Sequence, residues 1–185
     1  MNDEHEARLA EQYRLQGVVR SGFDGMEVEV AGGKFNLTDV AARVGLGQLP
    51  QLAQFNARRQ QLARRYFAEL RARGAERSGL QLPLEDFANS NWHMFQVVLP
   101  EARLTIARAQ VMEQLLAAGI GSGVHYPAMH LFALYRRLGF RPGDFPVAEY
   151  TGRNILTLPL FPAMQDADVA RVAEALMRIL SGAAA

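Results

Sequence analysis

The feature that most constrains this chain is an apolar stripe at helical spacing. Leu52, Phe55, Leu62, Tyr66 and Leu70 recur at intervals of three, seven, four and four residues, which places them on one face of a long helix closed by Gly74. A helix of that length cannot stand alone in water, because its stripe must be covered by another layer. Three further segments can supply that layer. WHMFQVVL (92–99) is rich in aromatic and β-branched residues and stops at Pro100, as a core strand does. ILTLPL (155–160) predicts a second strand. Residues 167–180 place Val169, Val172, Leu176 and Ile179 on one helical face. Residues 105–118 predict another amphipathic helix, with Val111 and Leu115 inward and Gly119 at its C-terminal cap. Strands alternating with helices give an α+β or α/β domain, with a layer of helices on a small sheet.

The first fifty residues read differently. Residues 2–17 are charged and predict a surface helix stopped near Gly17, and residues 21–33 predict a short exposed strand or arm around Met26-Glu27-Val28-Glu29-Val30. A helix should begin near Asn36–Thr38, with Asp39 in its first turn and Val40, Val44 and Leu46 as its buried face. Gly45 and Gly47 are expected to loosen it, and Pro50 to open the long helix. LTDVAARVGLGQLPQLAQF (37–55) has the small residues and turn glycine of a helix-turn-helix, but its second helix carries Gln48, Gln51 and Gln54 and no arginine before Arg58. DNA binding is therefore a minor reading, and the net charge of +1 does not favour it.

Composition excludes several chemistries. There is no cysteine, so disulfides, thiolate metal sites and cysteine nucleophiles are ruled out. Of 20 basic residues only Lys34 is a lysine, and an arginine cannot replace it in Schiff-base chemistry because guanidinium does not lose its proton. Arg58, Arg59, Arg64, Arg65, Arg71 and Arg73, opposite the apolar stripe, read as a solvated face. His5, His93, His125 and His130 lack metal-ligand spacing, so no metal site is expected. The sequence contains neither a membrane span nor a signal peptide, and a cytoplasmic setting is expected. No GxSxG elbow, P-loop or dinucleotide fingerprint is present.

GIGSGVHYP (119–127) predicts a glycine-flanked strand that delivers His125 and Tyr126 to its end. They are either a ligand-facing pair or a packed, hydrogen-bonded one. Residues 128–139 predict a short helix carrying His130 and Tyr135, and RPGDFP (141–146) a turn-rich loop. Gln165 caps the last helix weakly, and the alanines after Gly182 predict a frayed tail.

Taken together, NDEHEARL, GGKFNLTDVAA, QLAQFNARRQQLARRY, WHMFQVVLP, GIGSGVHYP, RPGDFPVAE and RNILTLPLFP resemble, in order and spacing, the DegT/DnrJ/StrS type of sugar aminotransferase. The resemblance implies an α+β chain: the C-terminal small domain of a fold-type I pyridoxal-phosphate-dependent transferase, a small antiparallel-rich sheet covered by helices, with a remnant of the large domain. Residues 1–47 would be the end of the large domain with a dimer-interface segment, and residues 48–185 the small domain led in by the long interdomain helix. It implies transfer of an amino group from an amino acid, usually glutamate, to a nucleotide-linked keto-sugar, in a homodimer that shares residues across its interface.

Asn36 matches a residue that reaches the cofactor phosphate of the neighbouring subunit. Lys34 matches a basic position beside it, and His125 and Tyr126 match a motif beside the substrate. The family's Schiff-base lysine, its pyridinium-contacting aspartate and its phosphate cup fall upstream of Met1, so this chain carries no catalytic residue of its own and is expected neither to hold the cofactor nor to react alone. It is also expected to self-associate through apolar surface left uncovered, with no nucleic acid or membrane as partner. A freestanding, non-catalytic dimerisation or regulatory module remains the alternative.

Overall fold

The computed structural model describes residues 3–21 and 25–184 and divides the chain into two compact units, 1–52 and 53–185. In the first, helix α1 (Glu4–Arg14) opens where the Asp3 carboxylate accepts the His5 and Glu6 amides at 2.6 and 3.1 Å. It buries no residue. The chain leaves it through Gln16 and Gly17 at φ 62° and 75°. Gly17 is obligatory here, because a Cβ would stand 1.8 Å from the Val30 carbonyl oxygen. Residues 33–35 run back along the helix end: Gly33 N–H donates to Tyr13 O, Gln16 N–H to Gly33 O and Phe35 N–H to Arg14 O, each at 2.9 Å.

Strands β1 (Val18–Ser21) and β2 (Gly25–Val28) pair antiparallel, with Val18 opposite Val28. The alternation at residues 26–30 thus marks one strand of a pair, and its partner lies among residues with no comparable pattern. The expected helix start at Asn2 and the glycine at 22 lie outside the described residues.

Helix α2 (Asp39–Gln48) starts as expected, with Thr38 Oγ1 accepting from Ala41 N–H. Three expectations about it fail. Gly45 and Gly47 do not loosen it, since each costs only about 1 kcal/mol in a helix; both stay helical, and a Cβ on either would meet nothing within 4 Å. The turn that a helix-turn-helix needs is therefore missing: a single 3-10 turn at Leu49–Gln51, with Pro50 in its first turn, leads into helix α3 (Leu52–Ala72). Nor is there a buried face. Val40, Val44 and Leu46 are 78%, 63% and 61% exposed, because no other segment of this unit covers them.

The second unit holds the core. From α3 come Leu62, Ala63, Tyr66, Phe67 and Leu70, so the stripe is buried in its C-terminal half, while Leu52 is exposed. A short helix α4 (Ala75–Ser78) follows, then strand β3 (Phe95–Val98), a 3-10 turn at Glu101–Arg103, and helix α5 (Arg108–Ala117) burying Val111 and Leu115. A 3-10 turn at Met129–Leu131 and helix α6 (Ala133–Arg137) split the single helix expected over 128–139. Helix α7 (Pro146–Asn154) then feeds strand β4 (Ile155–Leu158), and helix α8 (Asp166–Gly182) ends the fold.

Strand β4 lies antiparallel to β3, with Phe95 opposite Leu158, and isolated bridges at Gln81–Val98 and Gly123–Thr157 extend the ladder on both sides. Tyr66 stacks on Phe95 at 4.7 Å and Phe67 meets Trp92 edge-on at 5.6 Å. The Tyr66 hydroxyl donates to the Pro159 carbonyl at 2.7 Å, and burial pushes this phenol well above its ordinary range.

Details at the surface also differ from expectation. Five of the six arginines in and just after α3 are engaged rather than merely solvated: Arg58 donates to Met164 O and pairs with Asp166, Arg64 lies 3.8 Å over the Phe87 ring, Arg71 meets Glu85, and Arg65 and Arg73 flank Glu69. The weak cap at Gln165 is offset by the Asp168 carboxylate, which accepts the Gln165 amide at 2.8 Å. The tail does not fray through residue 184. Ala183 is buried, its carbonyl accepts Thr105 N–H and Oγ1–H, and Ala184 bridges to Leu104. Ala185 lies outside the described residues. Among the described residues no helix is long and apolar enough to cross a membrane.

Candidate functional site

Lys34 and Asn36 sit in the first unit, on the segment laced to the end of α1. The Lys34 backbone forms a bridge with Leu15, and its side chain is exposed. Asn36 is half-buried, and its Oδ1 is enclosed with no hydrogen-bond partner among the described residues. A buried amide end left unpaired is uncommon in a folded chain and marks an unspent polar group. The donor this residue can offer a ligand is its other end, Nδ2, which makes no hydrogen bond among the described residues. An exposed ammonium two residues from such an amide fits a phosphate.

His125 and Tyr126 sit in the second unit. The strand expected over 119–127 is not formed: glycines at 119, 121 and 123 weaken it, and only Gly123 pairs, exchanging backbone bonds with Thr157 at 3.0 and 2.8 Å. The result is an extended segment pinned at single points to β4. His125 Nδ1 lies 2.9 Å from Thr157 Oγ1, and its carbonyl accepts from the Gln96 side chain of β3. The two rings meet edge-on at 5.1 Å, with the His125 ring half-buried and Tyr126 66% exposed. A fixed imidazole beside a phenol that projects into solvent suits hydrogen bonding to a hydroxylated ligand.

His130 is buried, and its Nε2 stands 3.0 Å from Glu149 Oε1. The same oxygen accepts the Gly143 amide at 2.6 Å. The Gly143 N–H, and secondarily His130, hold the Glu149 carboxyl below the usual carboxylate range, against the desolvation that opposes them. Nothing in sequence spacing pairs these two residues. Helix α7 was hidden too, since Pro146 reads equally as the end of a turn and as the first residue of a helix. Among the described residues no group of three or more histidine, aspartate or glutamate side chains is arranged to hold a metal.

Comparison with known proteins gives the family of the chain. The family model described as the DegT/DnrJ/EryC1/StrS aminotransferase family matches residues 1–177. The uncharacterised Methanocaldococcus jannaschii protein MJ1066 is 33% identical over 157 residues, which cover 84% of this chain and 40% of that protein. A Streptococcus pneumoniae structure described as the sugar aminotransferase Spr1654, in apo form, superposes with a TM-score of 0.84 at 26% identity, over 98% of this chain and 45% of that one. The aminotransferase TlmJ from Streptoalloteichus hindustanus gives 0.81 at 27% identity, over 98% of this chain and 46% of TlmJ.

The chain thus spans 40%, 45% and 46% of the length of these three proteins. Its α+β architecture, helices with small antiparallel sheets, is part of a fold-type I transferase fold. By the family match over residues 1–177 and the shared fold, this chain belongs to the DegT/DnrJ/EryC1/StrS aminotransferase family.

Proposed function

We propose that this chain is the part of a sugar aminotransferase that lines the sugar side of one active site and the cofactor-phosphate side of a neighbouring one. Its substrates would be a nucleotide-linked keto-sugar and an amino-acid donor, of which glutamate is the expected one. The observation that carries this reading is the His125–Tyr126 pair: one ring fixed by Thr157 and the other open to solvent, on a chain whose family moves amino groups.

Pyridoxal phosphate, when bound, supplies the electron sink that lets an amino group pass between amino acid and keto-sugar. The Spr1654 structures include a PLP form and a PMP form. This chain's own residues fit the phosphate end of that group: the Asn36 Nδ2 and the exposed Lys34 ammonium can each donate to phosphate oxygens. They do not fit its aldehyde end. That end needs an amine matched to the family's Schiff-base position, and Lys34, the sole lysine, stands at the phosphate side.

His125 and Tyr126 would hold the sugar through its hydroxyls, with the imidazole ring held in place by the Thr157 hydroxyl. A homodimer or other self-associated form suits the uncovered α2, and a cytoplasmic setting suits the substrates. The division of labour would follow residues 1–47 and 48–185, interface segment and small domain. Alone, the chain would be inactive.

The test is to incubate the purified chain with pyridoxal phosphate, reduce with borohydride and map labelled peptides. No stoichiometric label is expected. Full labelling of Lys34 would overturn the reading and make the chain a cofactor-binding protein in its own right.

A further inference from the structure

Tyr126 makes no side-chain hydrogen bond among the described residues, and the extended segment that bears it pairs with a strand only at Gly123. Beyond the Gln96 side chain, which donates to the His125 carbonyl, further contacts fix where it stands. After Tyr126 the chain runs through the 3-10 turn, α6 and an exposed loop, and returns as α7 and β4, which touch residues 125–130 at three places.

Gly152 is the first. A Cβ there would lie 2.5 Å from the Ala128 amide nitrogen and 3.0 Å from the Pro127 carbonyl carbon, so helix and segment are in backbone contact that only glycine allows. Glu149 is the second. One carboxylate oxygen receives the His130 ring at 3.0 Å and the Gly143 amide at 2.6 Å, tying together the two ends of the 130–143 excursion. The Phe145 ring closes over His130 edge-on at 4.9 Å. Thr157, three residues beyond the helix, is the third, through His125. The helix is itself locked: Arg108 donates to the carbonyls of Gly152 at 2.6 Å and Ile155 at 3.2 Å.

A buried carboxylate is an expensive choice here. Residues 136–148 are all exposed, Glu149 is the first buried residue after them, and an apolar side chain would cover His130 and Phe145 without desolvating a charge. What a carboxylate provides and an apolar group does not is direction, because two donors from separate segments converge on one oxygen.

We infer that α7 is a splint for the His125–Tyr126 pair, with Glu149 and Gly152 as positioning residues that set where the phenol projects. This rests on the reading that those two side chains face the sugar. Hydrogen exchange on the full chain tests it. Glu149→Ala should speed exchange of residues 123–131 at least tenfold and leave 95–98 unchanged, while Glu149→Gln should restore wild-type exchange, because its amide oxygen accepts the same two bonds. Gly152→Ala should loosen 123–131 with Glu149 intact. If Glu149→Ala does not fold, His130→Phe, which keeps a ring against Phe145 but has no donor, breaks the same contact from the other side and should loosen the same residues.

Unchanged exchange at 123–131 would overturn the splint. So would acceleration shared equally by 95–98, or failure of Glu149→Gln to rescue. No substrate or cofactor enters this measurement. Its failure would remove the positioning role and leave the proposed function standing, whereas labelling of Lys34 would remove the proposed function and leave the splint.

Discussion

The two units of this chain are stabilised by different means. Residues 53–185 bury a continuous core, in which Leu62, Leu70, Phe95, Val97, Leu115, Leu156 and Leu176 are fully enclosed. Residues 1–52 bury no residue of α1 or α2 and leave Phe35, Leu37, Val40 and Val44 exposed. That unit is held by backbone hydrogen bonds along residues 13–17 and 29–35 and by side-chain caps at Asp3 and Thr38. Exposed hydrogen bonds contribute about 1 kcal/mol each, whereas enclosing a leucine contributes about 2–3 kcal/mol. The first unit should therefore open far more readily than the second. The candidate residues divide the same way: His125 is pinned to a core strand, and Lys34 and Asn36 stand in the loosely held unit.

The largest expected effect sharpens this contrast from the strong side. Leu62→Ala removes a fully enclosed side chain from the buried face of α3 and should cost about 3 kcal/mol in urea unfolding. Exchange of the β3 amides should accelerate accordingly, with α1 and α2 unaffected. An equal acceleration in α1 would break the comparison, because it would show one cooperative unit where the structure shows two.

The same contrast explains what could be read from the sequence. Where apolar residues repeat against a core, period was enough: Leu62, Tyr66 and Leu70 of the α3 stripe, the strand before Pro100, ILTLPL and the face of α8 stand where spacing put them. Period misled where the covering layer is missing. Val40 and Val44 have the spacing of a buried face, yet spacing records only that a residue is apolar and says nothing of what covers it. His125 and Tyr126 were legible because glycines and a proline bracket them. Their supports were not. Glu149 lies 19 residues from His130 along the chain, and Thr157 lies 32 from His125. Gly152, which lies against the Pro127–Ala128 backbone, gave no signal because the helix that holds it was itself hidden.

A smaller effect probes the weak side. Thr38→Ala removes the hydroxyl that accepts the Ala41 amide and should cost about 1 kcal/mol, confined to the opening of α2. Exchange of the α2 amides should rise several-fold while global unfolding stays put. A matching loss in the urea midpoint would mean that α2 is coupled to the core and that its cap supports more than one turn.

The smallest effect on stability is the most informative about why the apolar face of α2 exists. Val44→Glu replaces an exposed side chain that no hydrogen bond or core contact engages, so unfolding should shift by no more than about 0.5 kcal/mol. If Val40, Val44 and Leu46 are the surface through which copies of this chain associate, the same substitution should shift sedimentation toward the monomer, because a carboxylate cannot be desolvated there without a partner. Stability and association then respond in opposite measure to one residue. A large loss of stability with association unchanged would reverse the comparison between the units, since it would make Val44 part of a core and leave the exposed strip without a role in assembly.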